Sequence, residues 1–349
     1  MNAVILPSRN EPTTIAAVTA AVDAAMDDAR AVIVHADSSD TPQTAECFTA
    51  TGARAAKVSL INLKRGKGAQ ILAAARCPQI SDAEAVLIAD TDTLNPNPAV
   101  YRALLNQVRS GYGLAIADYP RHWDEANLTN HLARPLIAAA TGHDVPQPLA
   151  GDLALSRDVL TAVRQAADAL PEPLSGCVDG YGIDAFILLT SAHGPMTSVR
   201  FGRPKRHARS FPHLSAIYHE AVPVLLHMTA ARNSAPAPLG GGAASYRVAD
   251  RALPPGRLES MLTTLENLCP FSPSGYDEHL WPLPAADAWR AVASGTPAVD
   301  AARRLWPHYT QRVRSWLTSS QYATARQRAQ ELAAAHARLC AVLTSPGAP

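Results

Sequence analysis

Two carboxylates two residues apart, Asp90 and Asp92, close the apolar run Val86-Leu87-Ile88-Ala89-Asp90-Thr91-Asp92. A D-x-D pair at a strand end can reach one divalent cation, directly or through water. Mg²⁺ and Mn²⁺ prefer oxygen ligands and bridge readily to phosphate oxygens. The chemistry is then stabilisation of negative charge on a departing phosphate group. The same pair also reads as two solvated acids at the start of the next helix. Its place after the fourth strand favours the metal.

Two further segments share that setting. Pro7-Ser8-Arg9-Asn10-Glu11 follows the first strand and leads into a helix. Its bland reading is a helix start with an acid in the first turn. Leu63-Lys64-Arg65-Gly66-Lys67-Gly68-Ala69 places a lysine at a Gly-flanked helix start, where a diphosphate can be met. The spacing is not that of G-x-x-x-x-G-K-[ST], and the alternative is a basic surface turn.

The elements that must position these residues alternate in type. Asn2–Leu6 is a short apolar strand stopped by Pro7. Thr13–Asp28 has Ile15, Val18, Val22 and Met26 at helical spacing. Strands are expected over 31–36, 57–63, 85–89 and 114–118, with helices over 43–51, 67–76 and 97–109 between them. Repeated strand–helix units give an α/β fold, a Rossmann-like, mostly parallel sheet flanked by helices. Ligands of such sheets bind beyond the carboxyl ends of the strands. The polar clusters at 7–11, 37–40 and 90–92 all lie there.

From about 232 the character changes. Residues 233–245, NSAPAPLGGGAAS, have linker composition. Helical spacing returns over 258–268, 285–293 and 297–343. The chain is therefore divided as a catalytic domain over 1–231, a linker over 232–255 and a helical C-terminal region over 256–349. The helices would pack on the catalytic domain or on a second subunit, so a homodimer is one possible partner arrangement.

Bulk properties exclude several classes. The 349 residues are 47% hydrophobic and 17% charged, which suits a packed core. A net charge of +1 offers no field for nucleic acid. The five cysteines are odd in number and scattered, which fits reduced thiols and a cytoplasmic location. No run of 18 apolar residues suggests a membrane span, and the N-terminus lacks the basic segment of a signal peptide.

Further motifs make a resemblance specific. Arg134-Pro135-Leu136, Pro148-Leu149-Ala150-Gly151-Asp152 and Gly180-Tyr181-Gly182-Ile183-Asp184 occur in that order, followed by a helix and a strand leading to His207. Over residues 2–231 the chain resembles the retaining GT-A glycosyltransferases of the glucosyl-3-phosphoglycerate synthase and mannosylglycerate synthase group, which is family 81-like and related to family 2. The resemblance implies a metal-dependent hexosyltransferase using a nucleotide-sugar donor, UDP-sugar first and GDP-sugar next, with Mn²⁺ or Mg²⁺. It implies donor contacts from Pro7, Ser8, Arg9, Glu11, Asp37, Lys67, Asp90, Thr91 and Gly151. Asp90, Asp92 and His207 would hold the metal. Asp152 and Asp184 would face the reacting sugar. His207 reads otherwise as a surface histidine in a basic loop, and Asp184 as a helix N-terminal acid.

Two departures concern the acceptor. Family members that use phosphorylated glycerate carry Gly-Arg-Val-Thr where this chain has Ala126-Asn127-Leu128-Thr129, and an Asn where it has Arg209. Asn127, Thr129 and Arg209 are thus the expected acceptor residues, and the phosphate-gripping arginine is missing from its place. A fork for an anionic acceptor would have to come from Arg121, Arg206 or Arg209. The expected acceptor is a small hydroxyl- or amine-bearing molecule other than 3-phosphoglycerate. The rival readings are a sugar-nucleotidyltransferase, which would want a glycine-rich cradle after the first strand, and a non-catalytic sugar-nucleotide-binding protein.

Overall fold

The computed structural model describes residues 1–207, 211–231, 244–270 and 280–345. Its contacts group the chain into two compact units, Met1–Tyr119 with Leu149–Ala208, and Pro120–Pro148 with Arg209–Pro349. These boundaries differ from a cut at 231. The helix Leu214–Ala230 packs with the later helices, where the Tyr218 hydroxyl donates to the carbonyl of Ala302 at 2.9 Å. Of the expected linker, residues 232–243 lie outside the described residues, and Val248–Ala249 form a short strand.

The first unit is built on seven strands: β1 (Asn2–Ser8), β2 (Val32–Asp37), β3 (Ala56–Leu60), β4 (Ala85–Ile88), β5 (Leu114–Asp118), β7 (Leu153–Ser156) and β8 (Met196–Arg200). A two-residue β6 (Arg121–His122) and β9 (Val248–Ala249) belong to the second unit. The sheet order is β3-β2-β1-β4-β7-β5-β8. All neighbours are parallel except β7, which runs antiparallel between β4 and β5. The sheet is the mostly parallel α/β sheet expected. The chain leaves β1 toward β2 and β3, then returns to β4 on its other side, which makes a topological switch between β1 and β4.

β1 is buried along its whole length, as a central parallel strand covered on both faces must be. It continues through Pro7 rather than stopping there. The even-numbered residues of β1 bond toward β2, as the Ser38 amide does to the Ser8 carbonyl at 3.1 Å. Odd-numbered ones face β4, whose last strand residue, Ile88, pairs with Ile5. Pro7 therefore turns its missing N–H to a place where the ladder has already ended. Its carbonyl is satisfied instead by the Thr91 hydroxyl at 2.7 Å.

Helix α1 (Ile15–Met26) buries Ile15, Val18, Val22 and Met26, the predicted stripe. Helix α2 (Gln43–Ala50) supplies Phe48, which stacks on His35 of β2 at 4.7 Å. His35 is 0% exposed, with Ser8 Oγ 2.5 Å from Nε2 and Ser59 Oγ 3.1 Å from Nδ1. Burial pushes its pKa down from 6.5 to about 4 against the opposing pull of Asp37. Helix α3 (Lys67–Ala75) begins after Gly66, whose φ of 129° is open only to glycine. A Cβ on Gly68 would collide with the Val178 carbonyl, so α3 lies tight against that segment.

The second unit is helical. A π-helical turn, Thr129–Ala133, runs into the helix Arg134–Thr141. The helices Leu214–Ala230, Arg257–Leu268, Pro282–Ala293, Ala298–Ser320 and Ala325–Thr344 complete it. The stretch read as continuous over 297–343 is two helices. Thr324 and Gln327 form a capping box that starts the second. Trp316 is 0% exposed and donates its indole N–H to the Trp123 carbonyl at 2.8 Å. Among the described residues no helix is long and apolar enough to cross a membrane.

Trp316→Ala removes a large buried side chain and a bond to a main-chain carbonyl, and should cost about 3–5 kcal/mol in urea unfolding. His35 gives a pH dependence. Its folded pKa is depressed, so its contribution is complete above the unfolded value of 6.5 and is lost as pH falls toward 4. The loss should amount to about 2–3 kcal/mol. Unfolding curves of His35→Gln between pH 7 and pH 4.5 should show a shallower decline than wild type, and an unchanged slope would contradict this.

Candidate functional site

The first unit brings most of the predicted residues to the carboxyl ends of β1, β2 and β4. Asp90 is at the centre. Its Oδ1 meets Lys67 Nζ at 3.1 Å and its Oδ2 meets Lys205 Nζ at 2.8 Å. Each lysine holds a second acid: Lys67 reaches Asp184 at 3.0 Å, and Lys205 reaches Asp152 at 2.9 Å. Asp152, 1% exposed, also accepts the Asp90 amide at 3.1 Å and the Tyr119 hydroxyl at 2.9 Å. The chain thus makes a string of alternating charge, Asp184–Lys67–Asp90–Lys205–Asp152, buried at Asp184, Lys205 and Asp152 and partly exposed at Lys67 and Asp90. Local structure explains each position. Lys67 opens α3, Asp184 lies in the first turn of the helix Gly182–Ser191, and Asp152 precedes β7. Gly151 is required because a Cβ there would strike both carboxylate oxygens of Asp90.

The second acid of the D-x-D pair is placed differently. Asp92 Oδ2 lies 3.9 Å from His207 Nδ1. His207 is held there by backbone: it forms an isolated antiparallel bridge with Thr93, and the Leu94 amide donates to the Arg206 carbonyl at 2.8 Å. Asn95 Oδ1 accepts the Arg206 amide at 2.8 Å. Thr91 faces the other way, toward Pro7, and is a strand-end clamp. Among the described residues no three His, Cys, Asp or Glu side chains are gathered around one ion position, and both oxygens of Asp90 are taken up by the lysines.

The electrostatics divide the acids into two kinds. Burial pushes Asp90 upward, but Lys205 and then Lys67 outweigh it and hold the carboxyl well below its ordinary range. Burial opposes charge on both lysines, yet Asp184 and Asp90 raise Lys67 above its usual value, and Asp152, Asp90 and Asp92 raise Lys205. Asp92 is pushed up to about 6 by burial and then by Asp90. Asp184 also rises to about 6, through burial only partly offset by Lys67. Glu11 is raised by burial and next by Asp92. Five acids, Glu11, Asp90, Asp92, Asp152 and Asp184, thus face two lysines, and the missing positive charge is felt at Asp92 and Glu11.

The ends of β1 and β2 form a hydrogen-bonded extension. Ser8 Oγ donates to Asp37 Oδ1 at 3.3 Å, and the same oxygen accepts the Ser39 amide at 3.0 Å. The Gln70 side-chain amide donates to the Ser8 carbonyl and to Ser38 Oγ, each at 2.6 Å. Glu11 accepts the Thr14 hydroxyl at 3.1 Å, and its amide donates to Thr44 Oγ1 at 3.0 Å, so it starts α1 as well as facing Asp92. Arg9 lies further out and pairs with Asp40 at 3.5 Å.

Of the acceptor residues, Asn127 and Thr129 belong to the second unit and are buried. Ala126 has a left-handed φ of 55° and Thr129 opens the π-helical turn. Arg209 lies outside the described residues. Lys205, Tyr119 and Gln70 were not predicted. Lys205 sits two residues before His207, and only that neighbourhood marked it. Nothing in the local sequence marked Tyr119 or Gln70.

Among solved structures, glucosyl-3-phosphoglycerate synthase from Mycobacterium tuberculosis in complex with Mn²⁺, uridine diphosphate and phosphoglyceric acid is similar to this chain, with a TM-score of 0.53 and 24% identity over 66% of this chain and 78% of that one. The same synthase with Mn²⁺, uridine diphosphate and glucosyl-3-phosphoglycerate gives a TM-score of 0.52, 24% identity and coverage of 66% and 80%. A mycobacterial protein gives a TM-score of 0.52 and 24% identity over 72% of this chain and 80% of its own. No protein-family model matches the chain, and no curated protein matches it. The sheet order, the switch between β1 and β4 and these likenesses together assign the chain the GT-A fold.

Proposed function

We propose that the protein is a divalent-cation-dependent glycosyltransferase that moves a sugar from a nucleoside diphosphate to a small acceptor with retention of configuration. The observation that carries the reading is the charge arrangement at the switch point: Asp92 beside His207, short of positive charge, next to two lysines on Asp90. A divalent cation with oxygen and imidazole ligands fits that deficit, and Mn²⁺ accepts both ligand types. Asp92 and His207 would hold it, with Asp90 contributing as its lysine contacts allow. The bound ion would neutralise the diphosphate as it leaves. The fold likeness adds support, since the synthase of that fold is found with Mn²⁺ and uridine diphosphate.

The chain's own residues supply the remainder. Lys67, at the start of α3, presents its ammonium to the diphosphate. Ser8, Arg9, Glu11 and Asp37 face the nucleoside, with Pro7 and Thr91 keeping the strand ends in register. Gly151 leaves room beside Asp90, and Asp152 fixes Asp90 through its amide. Asp184, held by Lys67, would face the reacting sugar and stabilise its cationic character. The bond from the anomeric carbon to the diphosphate breaks, the acceptor oxygen or nitrogen bonds to that carbon, and its proton passes to a diphosphate oxygen.

The arginines of the second unit support an acceptor other than 3-phosphoglycerate. Arg134 pairs with Asp144 at 2.6 Å. Arg251 pairs with Asp124 and with Glu125, the latter at 3.0 Å. Arg121 lies 4.0 Å from Glu125. The guanidinium groups of Arg134 and Arg251, already matched to carboxylates in two-pronged contacts, offer little to a further anion.

Thermal unfolding with UDP, GDP and their sugars, with and without Mn²⁺, tests the reading. One nucleotide series should stabilise the protein by about 2.7 kcal/mol at a hundredfold excess over Kd, only with metal, and Asp92→Asn should abolish the shift. No shift with any nucleotide would overturn the assignment. With a donor identified, Asp184→Asn should lower kcat on the order of 100-fold while donor Kd stays within about threefold. In the same assay 3-phosphoglycerate should not be turned over, and efficient transfer to it would refute the acceptor argument.

A further inference from the structure

Gln70 is out of place by the rules of an amphipathic helix. It is 4% exposed on α3, among the buried Ile71, Leu72, Ala74 and Ala75. A buried amide is costly unless its bonds are made. Its nitrogen has two partners, the Ser8 carbonyl and Ser38 Oγ, both at 2.6 Å. The carbonyl can only accept, so the amide nitrogen must face it and the side-chain orientation is fixed. The Ser8 carbonyl is already bonded to the Ser38 amide at 3.1 Å. Gln70 therefore fills the second lone pair of a group that regular sheet pairing had satisfied. That is more than sheet stability requires.

What the extra bonds join is informative. Ser8 ends β1 and donates to Asp37, while Ser38 follows β2. Gln70 stands three residues after Lys67, hence on the same side of α3. Lys67 binds Asp90 and Asp184. One side chain thus connects the turn carrying Ser8 and Asp37 to the helix carrying the lysine of the charged string. The Ser8 carbonyl, the Ser38 hydroxyl and the α3 backbone cannot shift independently while both bonds stand.

We propose that Gln70 is a positioning residue of the donor site, setting the distance between the groups that meet the nucleoside and the ammonium that meets the diphosphate. This rests on the glycosyltransferase reading above. The donor is recognised as a linked pair, a nucleoside and a diphosphate, and Gln70 keeps the two halves of the site in register for it. Loosening that register penalises the linked ligand and spares the phosphate half taken alone.

Calorimetric titration with UDP plus Mn²⁺, and separately with inorganic pyrophosphate plus Mn²⁺, separates the possibilities. Gln70→Met keeps the volume and removes the donors. It should weaken UDP about tenfold and leave pyrophosphate within about twofold of wild type. Ser38→Ala, which deletes only one of the two acceptors, should weaken UDP about threefold and guards against a misfolded Gln70→Met. Val18→Ala, a cavity in α1 away from these bonds, should lower the melting temperature without changing UDP affinity. UDP binding within twofold of wild type in both Gln70→Met and Ser38→Ala overturns the role of Gln70 while leaving the glycosyltransferase reading standing. Equal weakening of UDP and pyrophosphate shows a general loss of structure and also overturns it. Wild-type protein that binds neither UDP nor GDP with Mn²⁺ removes the reading on which the proposal rests, and the proposal with it.

Discussion

The arrangement of the first unit depends on one partly buried carboxylate. Asp90 is held between two ammonium groups, and each of those is anchored on a second acid. Buried charges are tolerable only when paired and hydrogen-bonded, and removal of one member leaves its neighbour exposed to the full desolvation cost. The string ties together five places far apart in sequence: the end of β4, the start of α3, the approach to β7, the first turn of the helix Gly182–Ser191 and the segment before His207. The geometry around Asp92 and His207 follows from it, because the loop that carries Asp92 is clamped at Asp90.

The same string sets the chemistry that surrounds it. Asp90, held between two lysines, stays ionised, whereas Asp92, partly buried beside Asp90, and Asp184, whose burial Lys67 offsets only in part, are pushed up to about 6. Two populations of acid within one cluster are a common mark of a working site, since each environment suits a different task. Asp90 keeps the scaffold; on the function proposed above, Asp92 and Asp184 are where an incoming cation or a sugar with positive character would gain most. Preorganisation of this kind costs nothing at the moment of reaction, because the dipoles and charges are already aimed.

Much of this was legible in the sequence, and the reasons it was not always so are physical. The β-branched runs of β1, β2, β4 and β5 declared the sheet, and Asp90-Thr91-Asp92 marked the strand end at which the candidate site lies. β7 was missed because the antiparallel insertion Leu153–Ser156 is four residues of ordinary apolar chain. Pro7 was read as a stop because local propensity does not know where the neighbouring strand ends. Lys205 looked like one basic residue in a basic turn; its two acids come from positions 90 and 152. Gln70 looked like an ordinary helix former, and only burial shows otherwise. The grouping of residues 120–148 with the C-terminal helices is likewise a matter of tertiary contact, which spacing along the chain does not encode.

The bridge between Thr93 and His207 carries a consequence for how the protein comes into being. β8 is an outer strand, three neighbours removed from β4, so the stretch from 201 to 207 must travel back over the ends of β5 and β7 to meet the loop after β4. With strands about 4.8 Å apart that journey is roughly 14 Å. Pairing of such sequence-distant segments bears a heavy loop-closure cost and comes late in folding. On a ribosome, β1 through β4 emerge and can pair long before residue 207 is synthesised. The nascent chain therefore has most of its sheet before it has His207, and the pairing of Asp92 with that histidine is complete only when the first unit is essentially whole.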